Sequence, residues 1–328
     1  MPTIPASVFI TGANGFIGKA LGDRYRALGA DVRGMDIRAD PENNVIAGNL
    51  TDPAGWSAHA SGCELFVNTA AVVSMNADWD LYRQVTVQGV RNSLNVAIAA
   101  GAKRYVQYSS VAAMGVDFPD QSDEHLPTII GEVFRYGVAK AASEHLVLAA
   151  HAAGEMVCTI VRPTDVYGPG SRAWISEPLK ACRAGKFLLP DFGRGVFSPV
   201  YIDDILDGTL LAAGLPQGAG QIFNVGGGYE VSCKEFFRYH WQWAGRQGDP
   251  RSVSLSAALL LSRFGRWVNQ KLGKVDEVCP DTIYILARRG GYSIAKAREV
   301  LGYSPKMNLV EGMKRSEDWL RQTGELPA

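Results

Sequence analysis

The sequence predicts an α/β protein built on a doubly wound parallel sheet, with a smaller lobe supplied by the C-terminal half. Three observations predict it. Short apolar, β-branched runs alternate with helical patterns through the first half of the 328-residue chain, the rhythm of a parallel sheet with helices on both faces. The first run, Val8-Phe9-Ile10, leads straight into Thr11-Gly12-Ala13-Asn14-Gly15-Phe16-Ile17-Gly18 and then a helical pattern from Lys19 to Leu28. After Pro169 the strict alternation lapses.

Composition narrows the class. Hydrophobic residues at 47% and charged residues at 20% are ordinary for a globular chain with a large core. The 33 basic and 33 acidic side chains cancel, which leaves no basic footprint for nucleic acid. Five scattered cysteines (Cys63, Cys158, Cys182, Cys233, Cys279) form no Cys-x-x-Cys pair and no metal-ligand spacing with the five histidines. Reduced, mostly buried thiols and no metal site are expected. The start, Met1-Pro2-Thr3-Ile4-Pro5-Ala6, lacks the basic region and apolar core of a signal peptide. No window reaches the ~18 apolar residues of a membrane span. A cytoplasmic protein without stable membrane insertion is expected.

Val8-Phe9-Ile10 suits a strand buried on both faces. Strand, glycine turn and helix together make a pyrophosphate site: the glycines let the backbone approach, and amides at the helix N-terminus meet the charge. Val32-Arg33-Gly34-Met35-Asp36 is the second strand, ending in an acid 18 residues after Gly18. An acid there binds the adenosine ribose hydroxyls and repels a 2′-phosphate, which favours NAD. Arg38, two residues on, is the group that would instead hold such a phosphate, so NADP stays open. Gly48-Asn49-Leu50-Thr51-Asp52 ends a third strand, and Pro53 takes the first position of the next helix. Leu65-Phe66-Val67-Asn68-Thr69-Ala70-Ala71 runs into small residues that leave room for a cofactor or for tight helix packing. Asp80 to Ala100 reads as one long helix. Arg104-Tyr105-Val106-Gln107-Tyr108 is a fifth strand ending at Ser109-Ser110. Ligands bind at the carboxyl ends of such strands, where Gly12, Asp36, Ala71 and Ser110 fall.

Tyr136-Gly137-Val138-Ala139-Lys140 supplies the chemistry. Residues four apart share a helix face, and a nearby cation favours phenolate, lowering a tyrosine pKa from about 10. A tyrosine so tuned shuttles protons near neutrality. The helix is expected to continue through His145 to Ala153, with Ala139, Ala142, Leu146 and Ala150 as a core stripe. His125, in the loop from Asp117 to Arg135, is a further substrate-side candidate, though a lone loop histidine is ordinarily just solvated.

With these motifs in this order, the chain resembles the extended short-chain dehydrogenase/reductase superfamily from about Val8 to Trp319. It is most similar in character to the 3β-hydroxysteroid dehydrogenase-like members. Thr11-Gly12-x-x-Gly15-x-x-Gly18 matches the phosphate turn, Ser110 the catalytic Ser/Thr, and Tyr136 with Lys140 the Tyr-x-x-x-Lys pair. Arg162-Pro163 with Val166-Tyr167-Gly168-Pro169 matches the segment after the sixth strand. Val200-Tyr201-Ile202-Asp203-Asp204 and Phe223-Asn224-Val225-Gly226-Gly227 match two later landmarks. The resemblance implies a Rossmann-type sheet and a tyrosine acid/base. It also implies a lysine that binds the nicotinamide ribose and lowers the tyrosine pKa, and a serine orienting the substrate oxygen. Cofactor contacts are expected at Gly12, Asn14, Gly15, Phe16, Ile17, Gly18, Asp36, Arg38, Asn49, Leu50, Ala70, Ala71, Tyr108, Tyr136, Lys140, Pro163 and Val166. Residues 1–168 would mainly bind NAD. Residues 169–328 would mainly cover substrate, with about 196–226 returning to the main sheet. A homodimer through the Tyr136 helix and the helix near Arg83 to Ala97 is also implied.

Three departures bear on substrate. Thr86-Val87-Gln88-Gly89-Val90 has Thr86 where many members carry Asn. Phe197 stands where sugar-nucleotide enzymes carry an arginine for the diphosphate, and an aromatic cannot make a guanidinium's bidentate contact. Val111-Ala112 follow Ser110, where dehydratases carry Asp-Glu. The stretch Ser254 to Gly273 sets Leu259-Leu260-Leu261, Phe264, Trp267 and Val268 among Arg263, Arg266 and Lys271, an amphipathic pattern. It reads as a lid packed on the core, a cover over an apolar substrate, or a shallow membrane contact. Asp281 to Arg289, Tyr292-Ser293-Ile294 and Lys296 to Leu301 resemble the C-terminal region of the hydroxysteroid branch. The expected activity is an NAD(P)-dependent interconversion of secondary alcohol and ketone on a bulky, largely apolar small molecule. A sugar-nucleotide epimerase is the alternative. A non-catalytic NAD-sensing protein is a third class, against which the intact Ser-Tyr-Lys set argues.

Overall fold

A computed structural model describes residues 2–131, 134–271 and 279–327. Seven parallel strands form the main sheet: β1 (Ser7–Thr11), β2 (Asp31–Asp36), β3 (Val45–Ala47), β4 (Leu65–Asn68), β5 (Arg104–Tyr108), β6 (Cys158–Pro163) and β7 (Ile222–Val225). Their order is β7-β6-β5-β4-β1-β2-β3. The chain winds one way from β1 to β3 and the other way from β4 to β7, a Rossmann-type sheet whose switch point lies between β1 and β4.

Alternate residues of β1 feed two cores, because successive side chains of a strand point to opposite faces. Val8 and Ile10 join Leu21 and Tyr25, while Phe9 joins Trp56, Phe66 and Tyr105. The second core holds two stacked ring pairs: Phe9 on Trp56 at 5.9 Å and Phe66 on Tyr105 at 5.6 Å. Burying one such ring contributes about 1.5–3 kcal/mol. The five cysteines are free and buried, as expected. No helix among the described residues is long and apolar enough to cross a membrane.

Two expected helices differ. Pro53 does open a helical turn, but it is 3-10 (Pro53–Gly55, then Ser57–Ala60). Between the two turns Trp56 leaves helical geometry at φ −138° and is buried, with its indole donating to the Asn49 carbonyl at 2.8 Å. The long helix from Asp80 to Ala100 is interrupted: Tyr82–Gln88 is π-helical before regular turns resume at Gly89–Ala99. Such wide turns carry local strain and often mark functional sites. Here the wide turn presents the Thr86 hydroxyl to the Val72 backbone N–H at 3.1 Å.

In the C-terminal half, only β7 of the span 196–226 joins the main sheet. Val196–Phe197 pairs antiparallel with Val231–Ser232, and Pro199–Tyr201 runs parallel to Asp165–Tyr167. The Arg288–Asp165 ion pair, both side chains buried, pins the chain after Pro280–Ala287 to these small sheets. Asp165 also accepts from the Ser198 amide at 2.9 Å, and Arg288 Nε donates to the Val196 carbonyl at 3.0 Å.

Candidate active site

The glycine turn sits at the switch point and is built for a close approach. Gly12 has φ +73°, and a Cβ there would lie 2.8 Å from the Ala70 amide nitrogen. A Cβ on Gly18 would clash with the Gly12 carbonyl. Thr69 Oγ1 donates to the Thr11 carbonyl at 2.8 Å, which ties the end of β4 to the end of β1. The helix beginning at Phe16 has no side-chain cap on its N-terminus, so its first amides face outward. A dinucleotide pyrophosphate fits this cradle: Gly12, Gly15 and Gly18 carry no side chain, and the uncapped amides carry the helix's positive end.

Asp36 lies at the end of β2, beside the glycine turn. One carboxylate oxygen accepts from the Asn14 amide at 3.0 Å and the other from the Ile37 amide at 2.7 Å. Asn14 Nδ2 donates to the Arg38 carbonyl at 2.8 Å, so turn and strand end form one unit. Asn49 is exposed; Leu50 is buried beneath and packs toward Gly89. Ala70 and Ala71, both half-buried, follow β4 beside the turn. Phe16 lies next to Gly170, so the segment carrying Pro163 and Val166 comes round to the same crevice. Ile17 is half-buried one residue further into the helix.

Tyr136 and Lys140 lie on the helix Arg135–Ala152. Gly137 lets that helix press against the turn after Ser110, since a Cβ there would collide with the Ala112 carbonyl and the Phe134 ring. Ser110 thereby comes close enough to the Tyr136 phenol to favour its ionised form, while its own oxygen accepts from the Ala112 amide at 3.1 Å. The Lys140 ammonium, buried, donates to the Tyr108 carbonyl at 3.0 Å and lies 5.9 Å from the centre of the Tyr136 ring. Tyr108 contributes that carbonyl and not its ring, whose hydroxyl turns away to Thr209 at 2.5 Å. The core stripe of this helix is shifted from expectation: Ala139, Val147 and Ala150 are buried, whereas Ala142 and Leu146 are only half-buried.

The electrostatics correct one expectation. The Tyr136 phenol is not acidified in this structure. Burial pushes the phenol above its ordinary value, and the neighbouring Ser110 hydroxyl pulls it part of the way back. Lys140 is itself pushed down to about 8 by burial, with the Glu144 carboxylate opposing. Glu144, one turn on, was missed in the sequence. It takes both Nε and Nη2 of Arg162, at 2.8 and 2.6 Å, in a pair whose side chains are 1% and 2% exposed. An acid four residues after Lys140 and an arginine inside the apolar run Cys158–Pro163 were the available signals.

These shifts predict a pH dependence. Lys140 is cationic below about pH 8 and neutral above it. Carbonyl reduction, which uses a protonated tyrosine and a cationic lysine, should therefore decline in kcat/KM as pH rises through about 8. Lys140→Arg should carry the decline to higher pH. A profile flat from neutral to strongly alkaline pH would remove the lysine charge from the reaction.

Other sequence candidates fall elsewhere. His125 is exposed, with its backbone amide on Asp123. Phe197 is buried in an aromatic cluster, 4.0 Å from Phe236 and 4.9 Å from Trp174 by ring centres. Asp204 accepts from the Lys306 and Met307 amides at 2.8 and 3.1 Å, while Asp203 and Asp207 pair with Arg24. The Asp203-Asp204 landmark thus anchors the C-terminal segment to the sheet's helix layer.

Comparison with known proteins agrees with this geometry. The sequence profile of the NAD dependent epimerase/dehydratase family matches residues 8–226. A 4-hydroxy-2-methyl-3-oxo-4-farnesyl-3,4-dihydroquinoline-1-oxide ketoreductase from Stigmatella aurantiaca is 26% identical, covering 96% of each chain. A 3-beta-hydroxysteroid dehydrogenase from Mycolicibacterium neoaurum is 25% identical, over 93% of this chain and 89% of that one. A UDP-glucose 4-epimerase from Mycolicibacterium smegmatis is 28% identical, over 96% and 99%.

Proposed function

This chain belongs to the NAD-dependent epimerase/dehydratase family of extended short-chain dehydrogenase/reductases, and from that premise we propose that it interconverts a secondary alcohol and a ketone on a bulky, largely apolar molecule. The observation that carries the reading is the convergence of Ser110, Tyr136 and Lys140 at the carboxyl edge of the sheet that also holds the glycine cradle. When bound, a nicotinamide dinucleotide supplies or accepts the hydride. Tyr136 gives its phenolic proton to the carbonyl oxygen in reduction and takes it back in oxidation. Ser110 holds that oxygen, and Lys140 places a positive charge below the pair.

The apolar substrate class is supported by Phe197, which offers no cation for a diphosphate, and by the ketoreductase and hydroxysteroid dehydrogenase among the relatives. The epimerase relative supports the second reading, in which hydride returns to the same sugar nucleotide. Screening NADH formation across steroid, terpenoid, aromatic and nucleotide-sugar alcohols separates them. Net NADH with an apolar alcohol is the expected result; epimerisation of a sugar nucleotide without net NADH would establish the alternative.

Asp36 favours NAD, because its carboxylate repels a 2′-phosphate. Asp36→Ala should relax the preference for NAD over NADP by about tenfold or more, since one charge repulsion of about 1.4 kcal/mol is a factor of ten. Unchanged selectivity would remove Asp36 from that role. A homodimer belongs to the same reading: the half-buried Ala142 and Leu146 leave an outer face on the Tyr136 helix for a partner, and sedimentation velocity tests it.

A further inference from the structure

The helix Leu255–Lys271 turns its bulkiest apolar side chains away from the protein body. It meets the protein body through Ala258 and Ser262, both buried and one turn apart. Leu260, Leu261, Phe264 and Trp267 instead point outward, at 70%, 53%, 62% and 56% exposure. The spacing of 260, 264 and 267 places them on one stripe, with Leu261 beside it. Phe264 and Trp267 touch, with ring centres 6.0 Å apart. The end of the amphipathic stretch (residues 272 and 273) and the Val268 side chain lie outside the described residues. Scattered apolar residues on a surface need no explanation, but four large ones on one helix face do.

Charge identifies what the face meets. The helix carries Arg263, Arg266 and Lys271 and no acidic residue, in a chain whose net charge is zero. Asp281 lies close enough to Arg266 to feel its charge. Arg263 and Lys271 have no carboxylate partner among the described residues, and the Lys271 ammonium sits 6.0 Å over the Trp267 ring. A second copy of the chain docked about a two-fold axis would bring two cationic helices together. An anionic lipid surface offers apolar depth for the rings and phosphates for the cations. We infer that this helix lays its Leu260-Phe264-Trp267 face on an anionic membrane surface as a peripheral contact. The inference does not depend on the catalytic reading, because its readout is binding.

Vesicle flotation of the full chain tests it, with phosphatidylcholine alone and phosphatidylcholine mixed with phosphatidylserine. The protein should float with the anionic vesicles and far less with the neutral ones. The double variant Phe264→Asp/Trp267→Asp should lose flotation, with circular dichroism and thermal melting unchanged. Arg263→Gln should weaken binding by about fivefold, the value of one cation near such a surface. The inference is overturned if the full chain does not float, or if the double variant floats as well as the parent. It is also overturned if sedimentation velocity finds a dimer that the double variant dissociates, which assigns the face to a second copy.

Discussion

Tyr136→Phe should keep the fold and the cofactor affinity while turnover falls by about 10²–10⁴-fold, the range a positioned acid–base group contributes. The substitution removes one oxygen from a ring that is anchored independently of it. Phe134 holds the ring edge-on at 6.4 Å between centres, and the helix is pressed in place at Gly137. What disappears is the proton donor beside Ser110. Ser110→Ala should cost less, because the tyrosine still supplies the proton. If Tyr136→Phe turns over at near-parental rates, proton transfer runs through another group.

Glu144→Gln should lower the free energy of unfolding by about 3–5 kcal/mol, because the Arg162 guanidinium is then left buried without its counter-charge. Denaturant midpoints at constant slope would measure it. Replacing both partners by apolar residues of similar volume should recover most of the loss, since the desolvation of both charges is relieved together. Activity adds an independent readout. Glu144 opposes the burial that depresses Lys140, so its neutralisation should move the alkaline decline in reduction to lower pH. A Glu144→Gln protein as stable as the parent would mean that the pair contributes little.

Much of the site was legible because its parts are local. The glycine turn follows from a strand, three glycines and a helix in sequence. Tyr136 and Lys140 share a face by helical spacing, and Asp36 ends a strand that pairs beside β1. What escaped reading depends on tertiary packing. Burial, which no spacing encodes, sets the Tyr136 phenol high and turns the Lys140 ammonium to the Tyr108 carbonyl. Thr86 is read at first as a lost amide; the π-helical turn converts its hydroxyl into an acceptor for Val72. Leu260, Phe264 and Trp267 have a spacing that suits a core-facing stripe equally well. Only the burial of Ala258 and Ser262 shows which side of that helix faces inward.

The most direct test of the central claim follows one hydrogen. With NADH deuterated at the transferable C4 position and a bulky apolar ketone as acceptor, the alcohol formed should carry deuterium at the carbinol carbon, one label for each NADH consumed. An unlabelled product, or a sugar nucleotide epimerised while the NADH remains intact, would contradict it.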